Sequence, residues 1–216
     1  MLRAKRKSIF SIPRQTRTCW PRRPAVSTDR DFLERCVRAS PLAGPVLERW
    51  ADVRLPDAWL VAGAVTQTVW NVKLGLPPEH GIRDMDIVYF DGADLSAEAE
   101  AAEEERIQTL FSDIPIKADV KNQARVHLWY EDRFGIVIQP YTSTDDAIAT
   151  FPTTATAVGV RKDGAQFEVT APFGLADLCA MLVRPNKAQV SAEIYEAKVA
   201  RWRELWPALD IQPWNG

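Results

Sequence analysis

Cysteine and histidine are scarce in this chain of 216 residues: three cysteines (Cys19, Cys36, Cys179) and two histidines (His80, His127). So few thiols, odd in number and widely spaced, argue against a disulfide framework or a cysteine-rich zinc site and suit a reducing compartment; the expected location is cytoplasmic. Two histidines also argue against a His-rich metal centre. No apolar run approaches the roughly 18 residues that span a bilayer, so no membrane partner is expected. Internal repeats and low-complexity blocks are lacking as well.

Acidic residues are missing from one region only. Residues 1–26 carry eight of the 27 basic residues and no Asp or Glu, leaving 19 basic against 29 acidic in the rest of the chain. A body that acidic is a poor general binder of nucleic acid, because neutralisation of phosphates dominates such affinity. The basic segment, interrupted by Pro13, Pro21 and Pro24, reads as a disordered tail; RNA, an anionic surface or an import receptor would be its partners if it is more than an extension. Residues 27–216 then form a single domain, with 46% apolar and 26% charged residues in the whole chain, ordinary for a soluble globular protein.

Along that domain, Ser27-Thr28-Asp29 predicts a helix start, with Phe32, Leu33, Cys36 and Val37 on one face. A short helix is predicted over about 43–52, a buried strand over 58–63 ending in Gly63, and a helix over 64–74 closed by Gly75 and Pro77-Pro78. A strand over 84–90 follows, then an acid-rich helix over 96–112 and a strand over 115–120. Lys162-Asp163-Gly164 between Val158–Arg161 and Phe167–Thr170 signals a hairpin. Helices over 174–183 and 188–205 finish the chain, the last with an apolar stripe of Ile194, Val199, Trp202 and Leu205. Alternation of strand and helix predicts an α/β (α+β) fold: a small mixed β-sheet flanked by helices, with a C-terminal helical and hairpin extension.

Chemistry concentrates at Asp84-Met85-Asp86, which runs into Ile87-Val88-Tyr89-Phe90. In a strand, residues i and i+2 share a face, so the two carboxylates point the same way. Like charges at the start of a buried strand repel and need neutralising, and oxygen ligands suit a hard ion such as Mg²⁺, or Mn²⁺. The alternative is a solvated turn, Arg83-Asp84, leading into an ordinary strand. Asp119, on the next predicted strand, supplies a third acid, because sequential strands are neighbours about two-thirds of the time. Three carboxylates can hold two such ions for in-line phosphoryl or nucleotidyl displacement.

Gly63-Ala64 after a strand, a helix, Asp84-Met85-Asp86 before an apolar run, and a later strand acid together resemble the DNA polymerase beta-like nucleotidyltransferase superfamily. More narrowly, Asp86–Asp91, Val120–His127, Thr154–Val160 and Ala171–Leu175 resemble a bacterial nucleotidyltransferase-like family once catalogued only as a domain of unknown function. The resemblance covers about residues 45–205. It implies a nucleotidyltransferase fold with Asp84, Asp86 and Asp119 as metal ligands and catalytic residues, and an NTP substrate. The acceptor, whether small molecule, protein or RNA, is left open, as is the oligomeric state. The superfamily places Gly or Ser after the glycine, where this chain has Ala64, and has a shorter spacer to the Asp-x-Asp.

For the nucleotide, the candidates are Gly63 and Ala64 through backbone N–H groups at a helix start, and Lys121 and Arg125 through their charges. Each has a structural alternative: Lys121 can neutralise the acids, and Arg125 can pair with an internal carboxylate. Lys73 and Arg161 are weaker phosphate candidates. His127 and the tryptophans read as packing residues, although Trp129 or Tyr130 could cover a nucleobase. The function expected is Mg²⁺-dependent transfer of a nucleoside monophosphate to a hydroxyl. The alternatives are a non-catalytic binding or regulatory module of the same fold, and an RNA-modifying, tRNA-end or toxin-like transferase.

Overall fold

The computed structural model describes residues 28–215, so the basic segment expected to be disordered lies outside the described residues. Helix α1 (Asp29–Ala39) starts at Thr28, whose hydroxyl accepts from the Asp31 N–H at 3.1 Å while the Asp31 carboxylate accepts from the Thr28 N–H at 3.0 Å. Its face of Leu33, Cys36 and Val37 is buried, and α2 (Ala43–Glu48) packs beside it, followed by a 3₁₀ turn over 50–52. The central unit is β1 (Trp59–Val61), α3 (Ala62–Leu74), β2 (Asp84–Tyr89), α4 (Ala97–Leu110) and β3 (Lys117–Asn122). A 3₁₀ stretch over 123–128 leads to α5 (Tyr130–Phe134) and α6 (Thr144–Ile148). The hairpin β4 (Gly159–Asp163) and β5 (Gln166–Thr170) follows, then α7 (Ala176–Ala180), β6 (Leu182–Val183), α8 (Ala192–Leu205) and β7 (Asp210–Ile211).

Five strands form one mixed sheet in the order β3-β2-β1-β4-β5, with β2 and β3 parallel and the other pairs antiparallel. The hairpin is therefore built into the sheet beside β1 instead of extending the domain. Val160 pairs with Leu60 there, which buries the apolar half of β4. Alternation divides the two faces of β2. Met85, Ile87 and Tyr89 join Leu60, Val120 and Val160 in the main core under α1–α3. Val88 lies on the opposite face, in a smaller cluster with Trp59, Val61, Ile148 and Ala157, and Asp84 and Asp86 share that face by the two-residue period.

Strand β3 is a sheet edge, and α4 covers it. Gln108 Oε1 accepts from the Ala118 N–H and Glu100 Oε2 from the Asn122 N–H, each at 2.8 Å, so outward donors of the edge are satisfied by a helix and not by another strand.

The long spacer between α3 and β2 is pinned to both neighbouring helices. Asn71 Nδ2 donates to the carbonyls of Pro78 (3.2 Å) and His80 (2.9 Å), and Asn71 Oδ1 accepts from Trp206 Nε1 at 2.8 Å. His80 Nε2 lies 2.9 Å from the Leu205 carbonyl, and the Arg201 guanidinium donates to the Gly81 carbonyl. Gly81 has φ +71°, and a Cβ there would meet the Trp206 ring at 2.3 Å, so glycine is required on both counts. Trp70 packs edge-on against Trp202 and Trp206, with centroids 5.3 and 5.5 Å away.

Several boundaries differ from the sequence reading: the helix expected over 43–52 stops at Glu48 before a 3₁₀ turn, and the strand expected over 115–120 runs from Lys117 to Asn122. The strand expected to end at Gly63 stops at Val61, because Ala62 adopts φ +51° and turns the chain directly into α3. The helix expected over 174–183 ends at Ala180, where Met181 adopts φ +58° and the chain enters β6. The last helix starts at Ala192, where Ser191 caps it by accepting from the Ile194 N–H.

Candidate active site

Strand register brings the first two sequence candidates together. Asp86 and Asp119 are direct partners across the parallel pair β2–β3, with Asp84 two residues back on the same strand. Neighbouring strands lie about 4.8 Å apart, so two carboxyl-bearing positions stand side by side. Parts of these side chains reach solvent, yet protein atoms surround the Asp86 carboxyl closely. Burial, followed by the negative charges of Asp84 and Asp119, pushes its pKa up to about 7. Lys198 and a hydrogen bond from the Gly63 backbone N–H pull the other way.

That hydrogen bond explains the entry into α3. Residues with side chains rarely adopt the left-handed conformation of Ala62. With it, the first turn of α3 swings its amides towards β2, and the positive end of a 13-residue helix faces the carboxylates. Gly63 itself meets little resistance: a Cβ there would approach only the Gln67 amide, at 3.0 Å.

Gly63, Asp84 and Asp86 open into a cavity of about 280 Å³. The far wall comes from α8, which contributes Lys198 and Arg201, and Arg83 and Gln67 complete it. Burial lowers the Lys198 pKa, offset in part by Asp86 and Asp84. Burial and the neighbouring Arg83 charge lower that of Arg201, with Asp84 opposing; a guanidinium nonetheless stays charged. Gln67 is only 6% exposed, and among the described residues its Oε1 has no hydrogen-bond partner, nor does Arg201 Nε. Orphaned buried polar atoms carry a cost of about 1–3 kcal/mol each, which a ligand that bonds them removes.

The remaining candidates lie elsewhere. Lys121 Nζ pairs with Asp119 at 2.6 Å and with Glu104 at 2.8 Å, and although burial opposes it, those bonds raise its pKa. Lys121 thus occupies the third acid and ties it to α4. Arg125 forms an ion pair with Glu100 at 2.7 Å, both nearly buried, and donates to the Leu95 carbonyl, so it holds α4 against the 3₁₀ stretch that follows β3 and does not line the carboxylate cavity. The Ala64 side chain is buried in the main core, which leaves only its backbone for a ligand. Lys73 lies over the Phe32 ring, and Arg161 stacks on Trp59 and pairs with Glu168 and Asp57. His127 is packed, and its buried Nδ1 lacks a partner among the described residues.

Sequence reading missed Gln67, Lys198 and Arg201, and gave Arg83 only as part of a turn. Lys198 and Arg201 sit three apart on α8 and so share a face, but nothing local in the sequence says that this face crosses to the carboxylates. Gln67 is four residues after Gly63 on α3, the one spacing that could have pointed to it.

A model of the nucleotidyltransferase family matches residues 48–211. The chain belongs to the nucleotidyltransferase family. No curated protein matches this nucleotidyltransferase. A solved NMR structure described as revealing a CCA-adding enzyme head domain matches it at TM-score 0.70 and 28% identity, covering 88% of this chain and 98% of that one. The five-stranded mixed sheet flanked by helices is thus a nucleotidyltransferase head fold. Among the described residues no helix is long and apolar enough to cross a membrane.

The donor set of the nucleotidyltransferase fits a hard divalent ion in chemistry: oxygen atoms only, from carboxylates where burial and then mutual repulsion have already raised Asp86. The fit is incomplete in geometry. Among the described residues no group of three or more His, Cys, Asp or Glu side chains is gathered to hold a metal, and Asp119 is turned to Lys121.

Proposed function

We propose that this nucleotidyltransferase moves a nucleoside monophosphate from an NTP to an acceptor hydroxyl, and that Asp84, Asp86 and, once freed from Lys121, Asp119 would hold Mg²⁺ or Mn²⁺. The observation that carries this reading is the pairing of Asp86 with Asp119 in register, beside a cavity whose other walls are Gly63, Arg83, Lys198 and Arg201. The cation, when bound, neutralises the carboxylates and polarises the phosphoryl oxygens.

The protein supplies the rest. Gly63 and the first amides of α3 bind phosphate oxygens at a helix start. Arg83, Lys198 and Arg201 hold the triphosphate and offset the charge that grows on the leaving pyrophosphate. Asp119, released from Lys121, accepts the proton of the acceptor hydroxyl. Likeness to a structure described as a CCA-adding enzyme head domain supports an RNA hydroxyl as the acceptor. The basic residues 1–26 would then add affinity for RNA, and deleting them should weaken binding to a tRNA-like end. A cytoplasmic site of action accords with this reading.

The Asp119–Lys121 pair favours a second reading, a non-catalytic module that binds a nucleotide without turning it over. Calorimetric titration of ATP, CTP, GTP and UTP with Mg²⁺ into wild type and Asp86→Ala tests the first reading. Binding by wild type that is lost in Asp86→Ala supports it, and no binding by either protein removes it. Pyrophosphate release in the presence of RNA separates enzyme from module.

A further inference from the structure

Two more cavities continue the carboxylate cavity along β2. The first, of about 210 Å³, is bounded by Val61, Asp86, Val88 and Lys198. The second, of about 320 Å³, lies beyond Val88 and is lined by the rings of Trp129, Tyr130, Phe134, Tyr141 and Phe151. Asp86 lines the first two cavities, Val88 the last two and Lys198 all three, so they form one cleft. From Asp84 to Val88 the strand rises about 13 Å along the cleft.

The two ends of the cleft differ in chemistry. Arg83, Arg201 and the start of α3 crowd the Asp84 end, where anionic oxygens belong. The Val88 end is a bed of aromatic faces, with Tyr130 and Phe134 centroids 4.6 Å apart and Trp129 6.0 Å from Tyr130. Lys121 and Lys198 border it on the side of the carboxylates, and its other polar groups are held by hydrogen bonds. Tyr141 donates its hydroxyl to Gln189 Oε1 at 2.8 Å, which sets the orientation of that amide, and Gln123 Nε2 donates to the Lys121 carbonyl at 3.2 Å. Flat apolar walls with one or two oriented amides match a heteroaromatic ring that has a hydrogen-bonding edge.

Resting on the nucleotide reading above, we infer that the aromatic pocket beyond Val88 receives the nucleobase of the NTP, and that Gln189 reads its edge. The sugar then spans Val88 and Lys198, and the triphosphate lies at Arg83 and Arg201. Specificity for one base arises in residues 129–151 and 189, outside the carboxylate motif.

The test compares NTPs with inorganic tripolyphosphate, which has no base, by calorimetry with Mg²⁺ on the full chain. Wild type should bind its preferred NTP more tightly than tripolyphosphate. Trp129→Ala, at a partly exposed ring, should weaken the NTP about tenfold and leave tripolyphosphate unchanged, with Trp129→Phe restoring most of the loss. Gln189→Leu should flatten the preference among the four bases. Equal affinity of wild type for NTP and tripolyphosphate, or undiminished NTP binding by folded Trp129→Ala and Gln189→Leu, overturns the base pocket while leaving the phosphate reading intact. Failure of wild type to bind either ligand overturns both.

Discussion

Asp86 and Asp119 stand opposite each other in a parallel strand pair, and Lys121, two residues after Asp119, closes on Asp119 at 2.6 Å. One acid of the pair is thus neutralised from its own strand, while the other is left to the proton. Asp86, at about 7, binds a proton in the folded state that an unfolded aspartate, near 3.8, has already lost. Between pH 4 and pH 7 the native state holds more protons than the unfolded one, so this group's contribution to stability falls as pH rises through that window.

Asp86→Asn, which keeps the shape without the charge, should therefore melt above wild type at pH 8 in EDTA and converge with it at pH 4. The gain should be on the order of 1–3 kcal/mol, discounted for the partial exposure of the side chain. Parallel melting curves at both pH values would contradict the burial and repulsion that raise Asp86.

Lys121 competes with any cation for Asp119. Lys121→Gln should tighten Mn²⁺ binding by about threefold, read by electron paramagnetic resonance, in line with the ~0.2–1 kcal/mol of a part-exposed pair. It should also lower stability slightly, because the Glu104 contact goes too. Weaker Mn²⁺ binding would place Lys121 among the groups that support the ligand.

Arg125 is a scaffold residue by its contacts. Arg125→Ala leaves Glu100 with a buried, unmatched charge and should cost about 3–5 kcal/mol in chemical denaturation. NTP affinity, measured by calorimetry well below the melting point, should stay within about twofold of wild type. A tenfold loss of affinity would return Arg125 to the binding site.

Gly63→Ala should fold, since the added methyl meets only the end of the Gln67 side chain, and should lose about tenfold in tripolyphosphate affinity by covering the helix start. Ala62 gives the opposite pattern. Ala62→Gly should be neutral or up to about 1 kcal/mol more stable, and Ala62→Val clearly less stable, because φ +51° suits glycine and not a branched side chain. Thermal melts of the three variants test the stability claims, and calorimetry with tripolyphosphate tests the affinity of Gly63→Ala.

The carboxylate core was legible in the sequence because its information is local. Period-two alternation orients Asp84 and Asp86, and a strand that follows soon after brings Asp119 beside them. The hairpin was also legible from Lys162-Asp163-Gly164, but its place next to β1 was not, because pairing between distant strands depends on burial on both faces. Lys121 and Arg125 have charges that suit phosphate equally well, and only tertiary neighbours, Glu104 and Glu100, show where those charges go. The wall formed by Lys198 and Arg201 depends on how α8 docks, through Trp202, Trp206 and Asn71, a set spread over 136 residues of chain.

That docking has a mechanical meaning. Arg201 grips Gly81, Trp206 grips Asn71, and His80 holds Leu205, so the C-terminal helix and the segment leading into Asp84 behave as one splinted piece. A change on the core side of that helix, such as Trp206→Ala, is then transmitted through the splint to the carboxylates. Because the ring is fully buried, the same change costs the fold about 3–5 kcal/mol, so stability and the geometry at the carboxylates fall together.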